Sequence, residues 1–331
     1  MPQGSEVLVE VTAAGLCRSD LHIMSSPPDV YPYTLPFTLG HETAGRIVAL
    51  GATASGVAAG DPVVVYSRWG CGRCWQCANG RDNACARTQR SAHGAGLGRD
   101  GGLAEYLLVP SARYLVPAPG LDPVHAAPLT DAALTSYHAV KLSLAQLRPG
   151  STALVLGVGG LGHMAIQILK AITSAQVLAV DVRQSALELA REAGADAVIA
   201  ADGLTPSDVR AELGPDRAAV VLDFVGSATT LELAAGSVAQ AGDIAYVGRA
   251  GGELRVKPGL IPYECTVRMP TWGTLSELAE VVALARSGAI HSEAEVYGLD
   301  EAVAAYGRLK QGEVVGRAVI SVSMQPAQMP L

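Results

Sequence analysis

Apolar and polar residues alternate with a period of two through the first third of the chain. SEVLVEVTAAG sets Val7, Val9 and Val11 on one face, the pattern of a half-buried strand. GRIVALG and DPVVVYS predict two more short strands, punctuated by glycine and by the Asp61-Pro62 turn dipeptide, and residues 103–109 predict another. Many short strands separated by turn signals predict a barrel or sandwich of about 120 residues. After Asp122 the period changes, and DPVHAAPLTDAALTSYHAVKLS reads as helix. Strands and helices then alternate: STALVLGV, GGLGHMAIQILKAI, AQVLAVDV and RQSALELAREAGA. ADAVIAA, AAVVLDFVG and GDIAYVG are three further strand-length runs, with TTLELAAGSVAQA predicted as helix between the last two. Near-continuous Val/Ile/Leu strands between amphipathic helices predict a parallel sheet covered on both faces. From Trp272 onward the pattern gives a helix, a strand near Val296, a second helix and a last strand, GRAVISV.

At 331 residues the chain has room for about two domains. A net charge of −7 with no basic tract argues against a nucleic-acid partner. Mean hydropathy is +0.27, and residues 149–171 could pass for a membrane span. That stretch, however, holds five glycines together with Ser151, His163, Gln167 and Lys170, unlike a spanning helix of about 20 mostly apolar residues. The opening MPQGSEVLVEV has neither a basic segment nor a long apolar one, so a cytoplasmic protein with reduced thiols is expected. Six cysteines are too few for a disulfide scaffold, and four of them crowd between Cys71 and Cys85.

Gly157-Val158-Gly159-Gly160-Leu161-Gly162 satisfies G-x-G-x-x-G. Alone the motif is weak, but here it follows an apolar strand and opens a helix. Such glycines permit a tight turn, close approach of backbone to a pyrophosphate, and close helix–strand packing. The helix N-terminus offers free N–H groups to the phosphates. Asp181 ends the next strand, where an acid should hydrogen-bond the adenine ribose; its charge would repel a 2′-phosphate, favouring NAD over NADP. Arg183 is expected near the adenine or in solvent.

Cys71-x2-Cys74-x2-Cys77-x7-Cys85 can close a tetrahedral structural zinc site with no open position. The rival, redox chemistry of a CxxC pair, needs two cysteines and a thioredoxin-like context.

Cys17, His41, Glu42 and Asp131 are each uninformative alone. Taken with GLCRSDLH, GHE, LTDA, the four-cysteine lobe and the late glycine motif, the whole chain resembles the zinc-dependent medium-chain alcohol dehydrogenases. The resemblance implies a GroES-like β-barrel catalytic domain, residues 1–132 and 272–331, with a structural zinc lobe at 70–86. An inserted NAD-binding Rossmann domain with a doubly wound parallel sheet would occupy 133–271. It implies two zinc ions per chain. Cys17, His41 and Asp131 match the catalytic-zinc ligands, although a helix-cap role for Asp131 stays open. Glu42 matches an acid that can act as an alternative ligand, and Asp20 one that orients the ligand histidine. Ser19 would take the alcohol proton and pass it, through the nicotinamide ribose, to His22, unless His22 is a plain surface imidazole. Arg18 and Arg317 resemble pyrophosphate-contacting positions. Tyr33 and Trp272 are candidate walls of the substrate pocket.

The implied reaction is reversible hydride transfer between a small alcohol, secondary or general, and NAD, giving ketone or aldehyde. A polyol or amino-alcohol dehydrogenase of the same family is the alternative, and a catalytically idle NAD- and zinc-binding protein is another. Homotetramers or dimers are implied, with no membrane partner. Family members carry further N-terminal residues, including strands, where only Met1–Gly4 precede SEVLVEV here. Loss of an edge strand would open ladder groups and weaken the barrel beside Cys17.

Overall fold

β1 (Val7–Leu16) buries Val7, Val9 and Val11 on one face, as the alternation predicts. It runs straight into Cys17, which caps α1 (Arg18–Ser25). β2 (Glu42–Leu50) returns antiparallel to β1, bringing Glu42 opposite Gly15. β3 (Pro62–Val65), α2 (Trp75–Ala78), β4 (Gly94–Ala95), β5 (Gly98–Arg99), β6 (Tyr106–Val109), β7 (Leu115–Pro117) and α3 (Pro123–Ala126) follow. The computed structural model describes residues 1–27, 30, 33–88 and 94–322.

The stretch from 122 to 143, predicted as one helix, is interrupted. α3 gives way to a 3-10 turn at Ala127–Thr130, which contains Pro128. Asp131 then leaves helical geometry, with φ −135° and ψ −62°, before α4 (Ala132–Leu142) begins. The break follows from Pro128, which has no N–H to continue the ladder, and it leaves the Asp131 side chain outside any regular helix face.

Beyond α4 come β8 (Thr152–Leu156), α5 (Gly162–Ile172), β9 (Gln176–Asp181), α6 (Gln184–Glu192), β10 (Ala197–Ala200), α7 (Pro206–Leu213), β11 (Ala218–Asp223), α8 (Ala228–Ser237), β12 (Val238–Tyr246) and β13 (Thr266–Arg268). These six strands form a parallel sheet in the order β10-β9-β8-β11-β12-β13. Leu154, Leu156, Leu178, Val180, Val221 and Ile244 pack from the sheet against Val209 of α7 and Leu233 and Ala234 of α8. One predicted boundary is wrong: Val238 to Ala241 belong to β12 rather than to the preceding helix, because Val238 pairs with Ala218 of β11.

α9 (Leu275–Arg286), β14 (Ala294–Gly298), α10 (Ala302–Gln311) and β15 (Arg317–Ser321) complete the described chain. The chain divides into two units: residues 1–131, 274–286 and from 292 onward, and residues 132–273 with 287–291. In the first, the sheet order is β14-β15-β1-β2-β3-β7, with β6 also on β1. β1 is bonded along one edge to β2, and along the other to β6 and then β15. The ladder beside Cys17 is therefore closed on both sides, contrary to the expected open edge. Among the described residues no helix is long and apolar enough to cross a membrane.

Candidate metal centres and dinucleotide loop

Three side chains from distant parts of one unit converge: Cys17 from the end of β1, His41 from the start of β2, and Asp131 from the break before α4. Their donor atoms all lie within 4.8 Å of one another, and all three residues are buried. Asp131 Oδ2 is 3.4 Å from Cys17 Sγ and 3.4 Å from His41 Nε2. Bonds of 2.0–2.3 Å at tetrahedral angles around zinc separate donors by roughly 3.3–3.8 Å. The sulfur, nitrogen and oxygen set fits such an ion, with one position left for another ligand.

The surroundings are polar and anionic. Asp20, fully buried, lies with Oδ1 3.0 Å from His41 Nδ1. Its Oδ2 accepts from the Cys17 backbone N–H at 3.0 Å, closing the capping box of α1, and from the Tyr306 hydroxyl at 2.8 Å. Burial works against a charged His41, but Asp20, Asp131 and Cys17 together raise its pKa well above the ordinary value. The same negative field would draw in a dication.

Glu42 and Arg317 pair with each other beside these donors. Glu42, expected as an alternative ligand, is not one of the three converging donors. Its two carboxylate oxygens accept from Arg317 Nε at 2.8 Å and Nη2 at 2.7 Å. Arg317 is buried on this pair, with Nη2 also 3.4 Å from Asp131 Oδ2. Two fully desolvated partners hold each other because neither has water as an alternative. Burial pushes the Glu42 carboxyl up to about 7, with Arg317 pulling down and Asp131 adding to the rise. Gly15 makes room for the pair: a Cβ there would sit 1.9 Å from Glu42 Oε2.

Cys71, Cys74, Cys77 and Cys85 also converge within 4.8 Å. Cys74 Sγ is 3.5 Å from Cys77 Sγ and 3.9 Å from Cys85 Sγ. These spacings bracket the roughly 3.8 Å edge of a tetrahedral four-thiolate zinc site and are far beyond a disulfide bond. All six cysteines are free. Cys71 N–H points at Cys85 Sγ, and Cys74 N–H at Cys71 Sγ, both at 3.4 Å. Against the penalty of burial, such N–H groups bring the Cys85 thiol down to about 6, whereas burial and the neighbouring Cys74 sulfur push the Cys77 thiol up. Arg113 bonds Asp82 beneath the lobe at 2.7 Å.

In the other unit the glycine motif joins β8 to α5. Gly157 has φ +88°, a conformation side chains rarely adopt, and a Cβ on Gly162 would meet Gly157 O at 2.0 Å. A Cβ on Gly159 would meet nothing within 4 Å, leaving space that a phosphate could fill. Gly160 and Leu161 form the turn into α5, whose N-terminus has no side-chain cap. The sheet order turns outward in opposite directions from β8 and β11, which puts this loop at a topological switch point, where such folds bind ligands. Asp181 Oδ2 accepts from Val158 N–H at 2.7 Å, and Oδ1 from Arg183 N–H at 2.9 Å. The acid thus braces the loop, and the Arg183 guanidinium folds back to within 3.4 Å of it.

Ser19 Oγ lies 3.5 Å from Cys17 Sγ, and His22 is one turn further along α1, half-buried. Arg18 is exposed. Tyr33 packs edge-on against Phe37, with ring centroids 5.6 Å apart. Trp272 belongs to the other unit, buried, with φ +52°. Tyr306 was not singled out from the sequence, where an aromatic residue in an amphipathic helix gives no sign of a partner 286 positions away.

A family model described as an alcohol dehydrogenase GroES-like domain matches residues 3–120, and one described as a zinc-binding dehydrogenase matches residues 160–287. An NAD-dependent alcohol dehydrogenase from Sulfurisphaera tokodaii is 37% identical over 329 residues, 96% of this chain and 93% of that one. A D-arabinose 1-dehydrogenase (NADP(+)) from Saccharolobus solfataricus is 35% identical, covering 97% of this chain and 91% of its own length. The crystal structure of the alcohol dehydrogenase from Aeropyrum pernix superposes with a TM-score of 0.89 at 35% identity, over 97% of this chain and 93% of that chain.

Proposed function

The chain belongs to the zinc-dependent medium-chain dehydrogenase/reductase family, and from that premise we propose that it is an NAD-dependent alcohol dehydrogenase. The observation that carries this reading is the convergence of buried Cys17, His41 and Asp131, with Asp131 Oδ2 3.4 Å from both Cys17 Sγ and His41 Nε2; three protein ligands would leave a zinc ion one position for substrate. Cys17, His41 and Asp131 would hold the catalytic zinc, and Cys71, Cys74, Cys77 and Cys85 the structural one. When bound, zinc supplies a Lewis acid that makes a coordinated alcohol more acidic, and NAD supplies the hydride acceptor.

The chain's own groups do the rest. Asp20 orients His41 so that Nε2 faces Asp131 Oδ2, where it would be placed to hold the metal. Arg317 holds both Glu42 carboxylate oxygens and would keep that acid from serving as a metal ligand while the pair is intact. Ser19, beside Cys17, is the candidate acceptor of the alcohol proton, with His22 next along the same helix face. Gly157, Gly159, Gly160, Leu161 and Gly162 would cradle the pyrophosphate, with residues 133–271 as the NAD-binding domain. Arg18 and Arg317 are candidate pyrophosphate contacts, and Tyr33 and Trp272 candidate pocket walls. Asp181 supports NAD over NADP, because its buried carboxylate would repel a 2′-phosphate.

Substrates are small alcohols and the corresponding ketones or aldehydes. A second reading, oxidation of a polyol or sugar, draws support from the similarity to a D-arabinose 1-dehydrogenase. A cytoplasmic homo-oligomer, tetramer or dimer, is part of the proposal. The test is NADH formation with primary, secondary and polyol substrates. Turnover favouring simple alcohols is expected; turnover confined to polyols would favour the second reading, and none with any alcohol would leave an idle NAD- and zinc-binding protein.

A further inference from the structure

Asp20 is a carboxylate with no exposure at all, and a buried charge persists only where hydrogen bonds replace its water. Each oxygen has a separate task. Oδ1 faces Nδ1 of His41 at 3.0 Å. Oδ2 takes two donors, the Cys17 backbone N–H at 3.0 Å and the Tyr306 hydroxyl at 2.8 Å. The Cys17 donor is local, three residues away, and comes with the helix cap. Tyr306 comes from α10, near the other end of the chain.

That helix is itself anchored. Arg308, two residues on, bonds Glu295 of β14 at 2.6 Å. Glu295 also accepts from Tyr297 at 2.7 Å and from Val315 N–H at 2.8 Å. The hydroxyl is thus presented from a fixed element. Burial, with the Asp20 charge next to it, holds the phenol far above its ordinary value, so it stays a donor across the working pH range.

We propose that Tyr306 is a positioning residue for the catalytic metal: its hydroxyl fixes the Asp20 carboxylate in the one orientation that aligns His41 with Cys17 and Asp131. The proposal rests on the metal reading given above. Without the hydroxyl, Oδ2 keeps a single donor, the carboxylate can rotate, and His41 loses its rigid partner. Removal of groups that orient a metal's histidine typically weakens binding about 10–100-fold.

Cobalt loading followed by chelator challenge tests this without measuring turnover. Thiolate charge-transfer bands distinguish a one-thiolate site from a four-thiolate site, so the cysteine lobe serves as an internal reference. Tyr306→Phe is expected to lose the one-thiolate metal about 10-fold faster than wild type, with the four-thiolate bands unchanged. Asp20→Asn is expected to lose it at least as fast, and Tyr306→Phe to add nothing in that background. Equal rates for wild type and Tyr306→Phe would overturn the proposal. So would a full extra loss in the double variant, which separates Tyr306 from Asp20, or a matching loss from the four-thiolate site, which makes the effect a general loosening of the protein. A wild-type protein that takes up only four-thiolate metal would overturn the metal reading itself, and the proposal with it.

Discussion

Arg317 and Glu42 form a buried, bidentate pair at 2.7 and 2.8 Å beside the three converging donors. Removing one partner strands the other without water. Arg317→Ala is expected to cost about 3–5 kcal/mol in urea unfolding, whereas Glu42→Gln combined with Arg317→Met should cost clearly less; a loss under about 1 kcal/mol for the single variant would contradict this account of the pair. The same neighbourhood shows what a sequence can and cannot carry. Cys17 and Asp131 are 114 residues apart, and no local pattern links a cysteine before a short helix to an acid in an alanine-rich stretch. Their kinship was legible only through resemblance to a family. The Arg317–Glu42 and Tyr306–Asp20 contacts, 275 and 286 residues apart, were not legible at all, because an ion pair or a hydroxyl contact across a fold leaves no periodicity.

At the level of elements, local chemistry wrote the clearest signals. The glycine motif could be read because strand, turn and helix are contiguous, and Gly162 answers to Gly157 O within the motif itself. Gly162→Ala would put a methyl 2.0 Å from Gly157 O. It is expected to weaken NADH binding at least about 10-fold in fluorescence titration, since the loop must open to admit the methyl. Unchanged affinity would argue against this loop as the cradle. The run from 122 to 143 shows the opposite case: its apolar period is helical throughout, yet Pro128 breaks the ladder just before Asp131. α7 was missed because only Val209 in it is fully buried, too little to set a period. The anchor of α10 has a pH signature. Burial opposes ionisation of Glu295, but Val315 N–H, Tyr297 and Arg308 outweigh it and hold the carboxyl below its ordinary value. Its contribution to stability is present above the unfolded-state value near 4.5 and is lost as pH falls through the lower folded value. The stability gap between wild type and Glu295→Gln should therefore be constant near neutrality and close in acid; a gap that widens in acid would reverse the assignment.

Across the whole molecule, the shift from period-two strands to strand–helix alternation foretold two kinds of sheet. The structure has both, a mostly antiparallel seven-stranded sheet and a parallel six-stranded one. What the pattern could not foretell is that the first unit's sheet recruits β14 and β15 from beyond the second, since strand pairing across 300 residues depends on register rather than composition. The converging cysteine, histidine and aspartate lie in one unit and the dinucleotide loop in the other. The central claim is that Cys17, His41 and Asp131 hold a metal required for alcohol oxidation by NAD. The most direct measurement is zinc per chain, taken together with alcohol-dependent NADH formation, for wild type and Cys17→Ser. Two zinc ions with turnover are expected for wild type. For Cys17→Ser one zinc and a loss of more than about 100-fold in kcat/KM are expected. Full activity with both zinc ions retained in Cys17→Ser would contradict it.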